Sequence, residues 1–113
     1  MSELANYRDQ FNCSFPQAKT VFEACITRAT QVLTTEGISL YLEGASRICR
    51  MGRGVEPVLV FLEEAPEVVN LIGEASLQDI IDFTFKLNKS PNSKAIVPFL
   101  QSLSPIAQRL ESQ

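Results

Sequence analysis

Apolar residues recur along this chain at helical spacing. Val21, Phe22, Cys25, Ile26, Ala29, Val32 and Leu33 are separated by steps of one or three, which places them on one stripe of a helix. Ser14-Phe15-Pro16 precedes that stripe, with Ser14 as the expected cap and Pro16 in the first turn, where its missing N–H costs nothing. Thr34-Thr35-Glu36-Gly37 interrupts the stripe, and either threonine can cap the next helix. Ile38, Tyr41, Leu42, Ala45, Ile48 and Cys49 form a second stripe, ended by Met51-Gly52-Arg53-Gly54.

From Val55 to Ala65 periodicity alone does not separate a buried strand from a helix that is apolar all round. A similar segment, Ile96-Val97-Pro98-Phe99-Leu100, decides the matter. Pro98 would delete a ladder donor in a central strand but costs little near the start of a helix capped by Ser93. Both segments are therefore predicted as short helices. Pro66 is expected to begin another, reaching about Ile72. Ser76 and Asp79 have the spacing of a capping box for a helix over Leu77 to Asn88. The apolar residues of that helix, Phe83 and Phe85 included, cover more than one face and predict neighbours on both sides. Ser104-Pro105 is expected to cap a last helix ending near Leu110.

These segments also repeat. Gly37 to Pro66 and Ser76 to Pro105 each read helix, turn, apolar helix and proline. Gly37/Ser76, Ile48/Leu87 and Pro66/Pro105 lie 39 residues apart, and Phe61/Phe99 lie 38 apart. Such periods belong to helical arrays, whose units cannot bury their apolar faces alone. The expected fold is all-α: a solenoid-like stack of antiparallel helical hairpins with a 38–39-residue repeat. Residues 1–14 read as an N-terminal arm and 15–113 as one domain.

Composition narrows the functional classes. At 113 residues and 45% hydrophobic content the chain is long and apolar enough for one core. A net charge of −3 argues against general nucleic-acid binding. The longest apolar run, Val58 to Leu62, is far short of the roughly 20 residues of a membrane span. The start has no signal-peptide pattern, so the expected location is the cytoplasm. There is no histidine, which removes Ser-His and Cys-His nucleophile pairs and the usual general base. Cys13, Cys25 and Cys49 form no CxxC pair, and Cys25 and Cys49 read as small core residues. No enzyme activity, cofactor or metal is expected.

Charge is segregated. Residues 55–82 contain seven acids and no Lys or Arg, whereas Arg47, Arg50 and Arg53 sit in an acid-free stretch. Three arginines spaced by three fall on one helix flank. They can grip an acidic surface, or simply complement a helix C-terminal dipole, as Lys86 and Lys89 would in the second unit. Glu63 and Glu64 are adjacent and point about 100° apart, so they read as surface rather than as a catalytic pair. The candidate interaction residues are Arg47, Arg50, Arg53, Glu63 and Glu64.

Several words in the chain carry a family resemblance. They are Val21-Phe22-Glu23-Ala24-Cys25, Glu36-Gly37-Ile38, Tyr41-Leu42-Glu43-Gly44-Ala45 and the run from Met51 to Glu64. Lys89 to Ile96 and Pro98-Phe99-Leu100-Gln101 belong with them. Over residues 15–113 they resemble the N-terminal helical region of large von Willebrand factor A proteins of the NorD/CbbO kind, described as nitric oxide reductase or Rubisco activation proteins. The resemblance implies a non-catalytic adaptor that works with a MoxR-type AAA+ ATPase to activate or remodel a target metalloenzyme. It also implies that this chain is an N-terminal piece of a longer protein. The family's metal-binding D-x-S-x-S does not occur here, so no ligand carries over. If the chain is such a piece, the stripe of Ile106, Ala107 and Leu110 would lie uncovered and pair two copies through their C-terminal ends. The alternative reading is a free-standing regulatory protein that binds a small ligand between its helices.

Overall fold

The computed structural model describes residues 15–52, 54–91 and 93–112, together with Asp9, Phe11 and Cys13. Most of the described residues are helical, with no strand among them. After a 3-10 turn at Pro16–Ala18 come α1 (Lys19–Val32), α2 (Thr35–Arg50), α3 (Val55–Ile72) and α4 (Ala75–Lys89). A second 3-10 turn at Ser93–Ala95 leads into α5 (Ile96–Gln101) and α6 (Leu103–Ser112).

The centre of the molecule is α3. It packs against α1, α2, α4, α5 and α6. This explains its composition: a helix touched on every side needs apolar residues all round. Val58, Phe61, Leu62 and Ala65 are fully buried along it. Around it, α2 lies beside α4, and the smallest dimension of the molecule is 20 Å, about the thickness of two packed helix layers.

Pro66 does not begin a helix. It lies inside α3, which runs unbroken for 18 residues, so the two short helices expected between Val55 and Ile72 are one. Pro57, Pro98 and Pro105 are each the third residue of their helices, where no N–H partner is lost. Pro66 removes a bond from the helix interior and leaves the Leu62 carbonyl without its backbone donor. The Tyr41 hydroxyl, reaching over from α2, donates to that carbonyl at 2.6 Å. A side chain from another helix thus replaces the missing bond, and α3 continues. It stops at Gly73, whose φ of 101° only glycine adopts without strain.

Of the two threonines that could cap α2, Thr34 does so, accepting the Gly37 N–H at 3.2 Å. Elsewhere capping differs from the sequence expectation. The Ser76/Asp79 box does not form: α4 starts at Ala75 and Ser76 donates to the Gly73 carbonyl at 2.6 Å. Ser104 lies within α6, its hydroxyl buried without a partner, rather than at its cap. The N-cap of α5 is Ala95, not Ser93. Ser14 lies outside the described residues.

The landmarks of the expected repeat do not occupy matching places in the core. Phe61 is fully buried while Phe99 is half-buried against Phe83, and Ile48 is buried while Leu87 is half-buried. Phe83 itself is 46% exposed, so α4 is not covered on both sides. Along α6 itself, Ala107 is buried and Ile106 is exposed.

Candidate functional site

The helices α2 and α4 run in the same direction. Gly37 faces Glu74 near their starts, Gly44 faces Ile81 midway, and Arg47 faces Phe85 near their ends. The close approach depends on Gly44: a Cβ there would stand 2.6 Å from Ile81 Cδ1 and 3.0 Å from Phe61 Cζ. At the N-terminal end, the Glu74 carboxylate accepts both the Thr34 N–H and the Thr34 hydroxyl at 2.8 Å. The backbone bond first and the hydroxyl second hold that carboxyl below its ordinary value of 4.5.

Parallel packing brings the two C-terminal turns together. Both carry cations, Arg47 and Arg50 on α2 and Lys86 and Lys89 on α4, where each complements its helix dipole. Between the turns lies an open cleft of about 350 Å³, lined by Arg47, Arg50, Met51, Phe85, Asn88 and Lys89. The Arg47 guanidinium lies 4.2 Å from the centre of the Phe85 ring, a cation–π contact that orients it. Arg50 donates to Ser46 Oγ at 3.2 Å. Among the described residues, no acid lines the cleft. Arg53 lies outside the described residues.

Glu63 and Glu64 are not part of this site. They line a second groove, of about 490 Å³, between α1 and α3, with Thr20, Val21, Ala24, Cys25, Arg28 and Leu62. Arg28 forms an ion pair with Glu67 beside it. Burial first, and Glu63 second, push the Cys25 thiol up to about 11. At neutral pH it is therefore protonated and a poor nucleophile. Among the described residues no group of three or more Cys, Asp or Glu is placed to hold a metal ion. Among them also, no helix is long and apolar enough to cross a membrane.

Sequence reasoning placed the cationic site on one helix and missed the contribution of Phe85 and Lys89. The available signal was the shared position of Arg47/Arg50 and Lys86/Lys89 at the ends of two helices. What it lacked was that those helices lie side by side and parallel. No known protein family, curated protein or solved structure matches this chain.

Proposed function

We propose that the chain is a non-catalytic protein-interaction module whose docking surface is the cleft at the C-terminal ends of α2 and α4. The carrying observation is the convergence there of Arg47, Arg50 and Lys89 around Phe85, with no acid among the lining residues. In line with the family resemblance, it acts as a cytoplasmic adaptor of a von Willebrand factor A protein. Its partner is a MoxR-type AAA+ ATPase, and the pair activates a target metalloenzyme.

A solenoid-like stack suits this role, because it leaves the helix ends in a row as a binding edge. One feature of the packing supports such a stack. Arg28 pairs with Glu67, Thr34 with Glu74, Gly44 meets Ile81 and Arg47 meets Phe85, all at separations of 37 to 40 residues. Contacts between successive units of an array recur at about its period. Exposed Ile106 on α6 gives a second surface, through which two copies pair.

The test is co-purification of the isolated chain with a MoxR-type ATPase at low and high salt. The expected result is a complex that weakens as salt rises, since exposed charge pairs are screened. Absence of any complex, with the ATPase or with its target enzyme, overturns the adaptor reading. The groove between α1 and α3 favours a second reading, a small amphiphilic ligand held between apolar Val21, Ala24 and Leu62 and polar Thr20 and Arg28. A compound that raises the unfolding temperature, and no longer does so after Ala24→Phe, would establish that one instead.

A further inference from the structure

The cleft has features that choose among anionic ligands. Arg47 is half-buried, with one face taken by the Phe85 ring, which leaves the N–H edge of its guanidinium for a partner. Arg50 and Lys89 are exposed on opposite helices. Arg50 uses one donor on Ser46 and keeps its other N–H groups. Among the described residues none of the three cations is in an ion pair. Phe85 and Met51 supply an apolar floor between the charged tips.

The two helix ends decide against a compact ligand. The last carbonyl oxygens of α2 and α4 point toward this end of the molecule and bring partial negative charge. A free phosphate on the cleft floor would meet that charge. Carboxylates carried on an extended chain reach the cation tips further out and avoid it. The chain's own net charge of −3 disfavours a long polyanion such as RNA in the same way.

We propose that this cleft binds an acidic peptide segment in which carboxylates flank an apolar side chain. The carboxylates meet Arg50 and Lys89, the oriented Arg47 takes one of them edge-on, and the apolar side chain lies on Phe85 and Met51. The assignment rests on the interaction-module reading and names the chemistry its partner must present.

The probe is a fluorescein-labelled peptide with two glutamates on each side of a leucine, compared with a copy in which glutamine replaces every glutamate. Fluorescence anisotropy with the intact chain should show binding of the acidic peptide about tenfold or more tighter than its glutamine copy. The affinity should fall between ~50 mM and ~300 mM salt as screening shortens the reach of the charges. The double variant Arg50→Gln/Lys89→Gln removes two exposed charges and should retain the helical circular dichroism of the parent while losing about tenfold or more in affinity. Phe85→Leu keeps the apolar floor but removes the platform for Arg47, and should cost roughly two- to fivefold. Equal binding of the acidic and glutamine peptides overturns the assignment, as does undiminished binding by the folded double variant. Displacement of the peptide by inorganic phosphate at far lower concentration than by chloride overturns it in favour of a phosphate site. If the ATPase co-purifies but the acidic peptide does not bind, the peptide assignment fails and the adaptor reading stands. If the peptide binds and the ATPase does not, the peptide assignment is upheld and the choice of ATPase partner fails.

Discussion

The Tyr41 hydroxyl donates to the Leu62 carbonyl at 2.6 Å, the backbone acceptor that Pro66 leaves empty four residues on. Tyr41 is fully buried, so no water is at hand to take its place. Tyr41→Phe should destabilise the fold by about 1–3 kcal/mol, because a buried carbonyl is left unsatisfied. In a Pro66→Ala background the alanine N–H can refill that carbonyl, so the same tyrosine change should cost less than half as much. Urea unfolding of the four proteins in this cycle measures the coupling. Equal costs in both backgrounds would show that the two residues act independently.

Phe61 and Phe99 occupy unlike environments despite their similar sequence settings. Phe61 is completely buried in α3 and packs on Tyr41, with ring centres 5.8 Å apart. Phe61→Ala should cost about 3–5 kcal/mol through lost burial and a cavity. Phe99 is half-buried beside the exposed Phe83, so Phe99→Ala should cost on the order of 1–2 kcal/mol. Equilibrium unfolding of the two variants should preserve that order.

Glu74 ties the start of α2 to the start of α4 and should make stability pH-dependent. Its folded pKa is lowered from 4.5 by the Thr34 N–H and then the Thr34 hydroxyl. A depressed carboxyl contributes stability above its unfolded pKa and loses it as pH falls through the folded value. The contribution should therefore be complete at neutral pH and disappear progressively below about 4.5. Glu74→Gln can still accept one of the two bonds but has no charge to lose. The melting-temperature gap between parent and variant should be present at pH 7 and close in acid.

Cysteine reactivity should follow burial. Cys13 is exposed, whereas Cys25 is buried with its thiol pushed up to about 11. At pH 8, maleimide labelling followed by peptide mass mapping should find Cys13 modified well before Cys25. Raising the pH to about 9 should increase the small Cys25 thiolate fraction about tenfold, yet the thiol remains mostly protonated there and should still react well behind Cys13 while the fold persists. Labelling of Cys25 as fast as Cys13 would mean that the α1–α3 groove opens readily.

Much of the helical character was legible in the order of residues, because a stripe at steps of three and four can bury itself only as a helix. α2 was read nearly to its ends, since Thr34 and Met51-Gly52 mark them with local chemistry. Pro98 identified α5 as a helix because its constraint is also local. Pro66 misled for the opposite reason: the hydroxyl that carries α3 past it comes from Tyr41, on a different helix. The Ser76/Asp79 box failed partly for a local reason, since Ser76 found the Gly73 carbonyl three residues back, and partly for a distant one, since Glu74 was drawn to Thr34 at the start of α2. Of the candidate site, the sequence revealed Arg47 and Arg50 through their spacing at a helix end. Tertiary structure separated them from Glu63 and Glu64 and joined them to Phe85 and Lys89. That pairing depends on α2 and α4 lying parallel, with Gly44 admitting Ile81 and Phe61 to the helix backbone. Residue order states which groups a helix carries and which face they share. Which helix stands opposite is decided by steric fit between side chains distant in sequence.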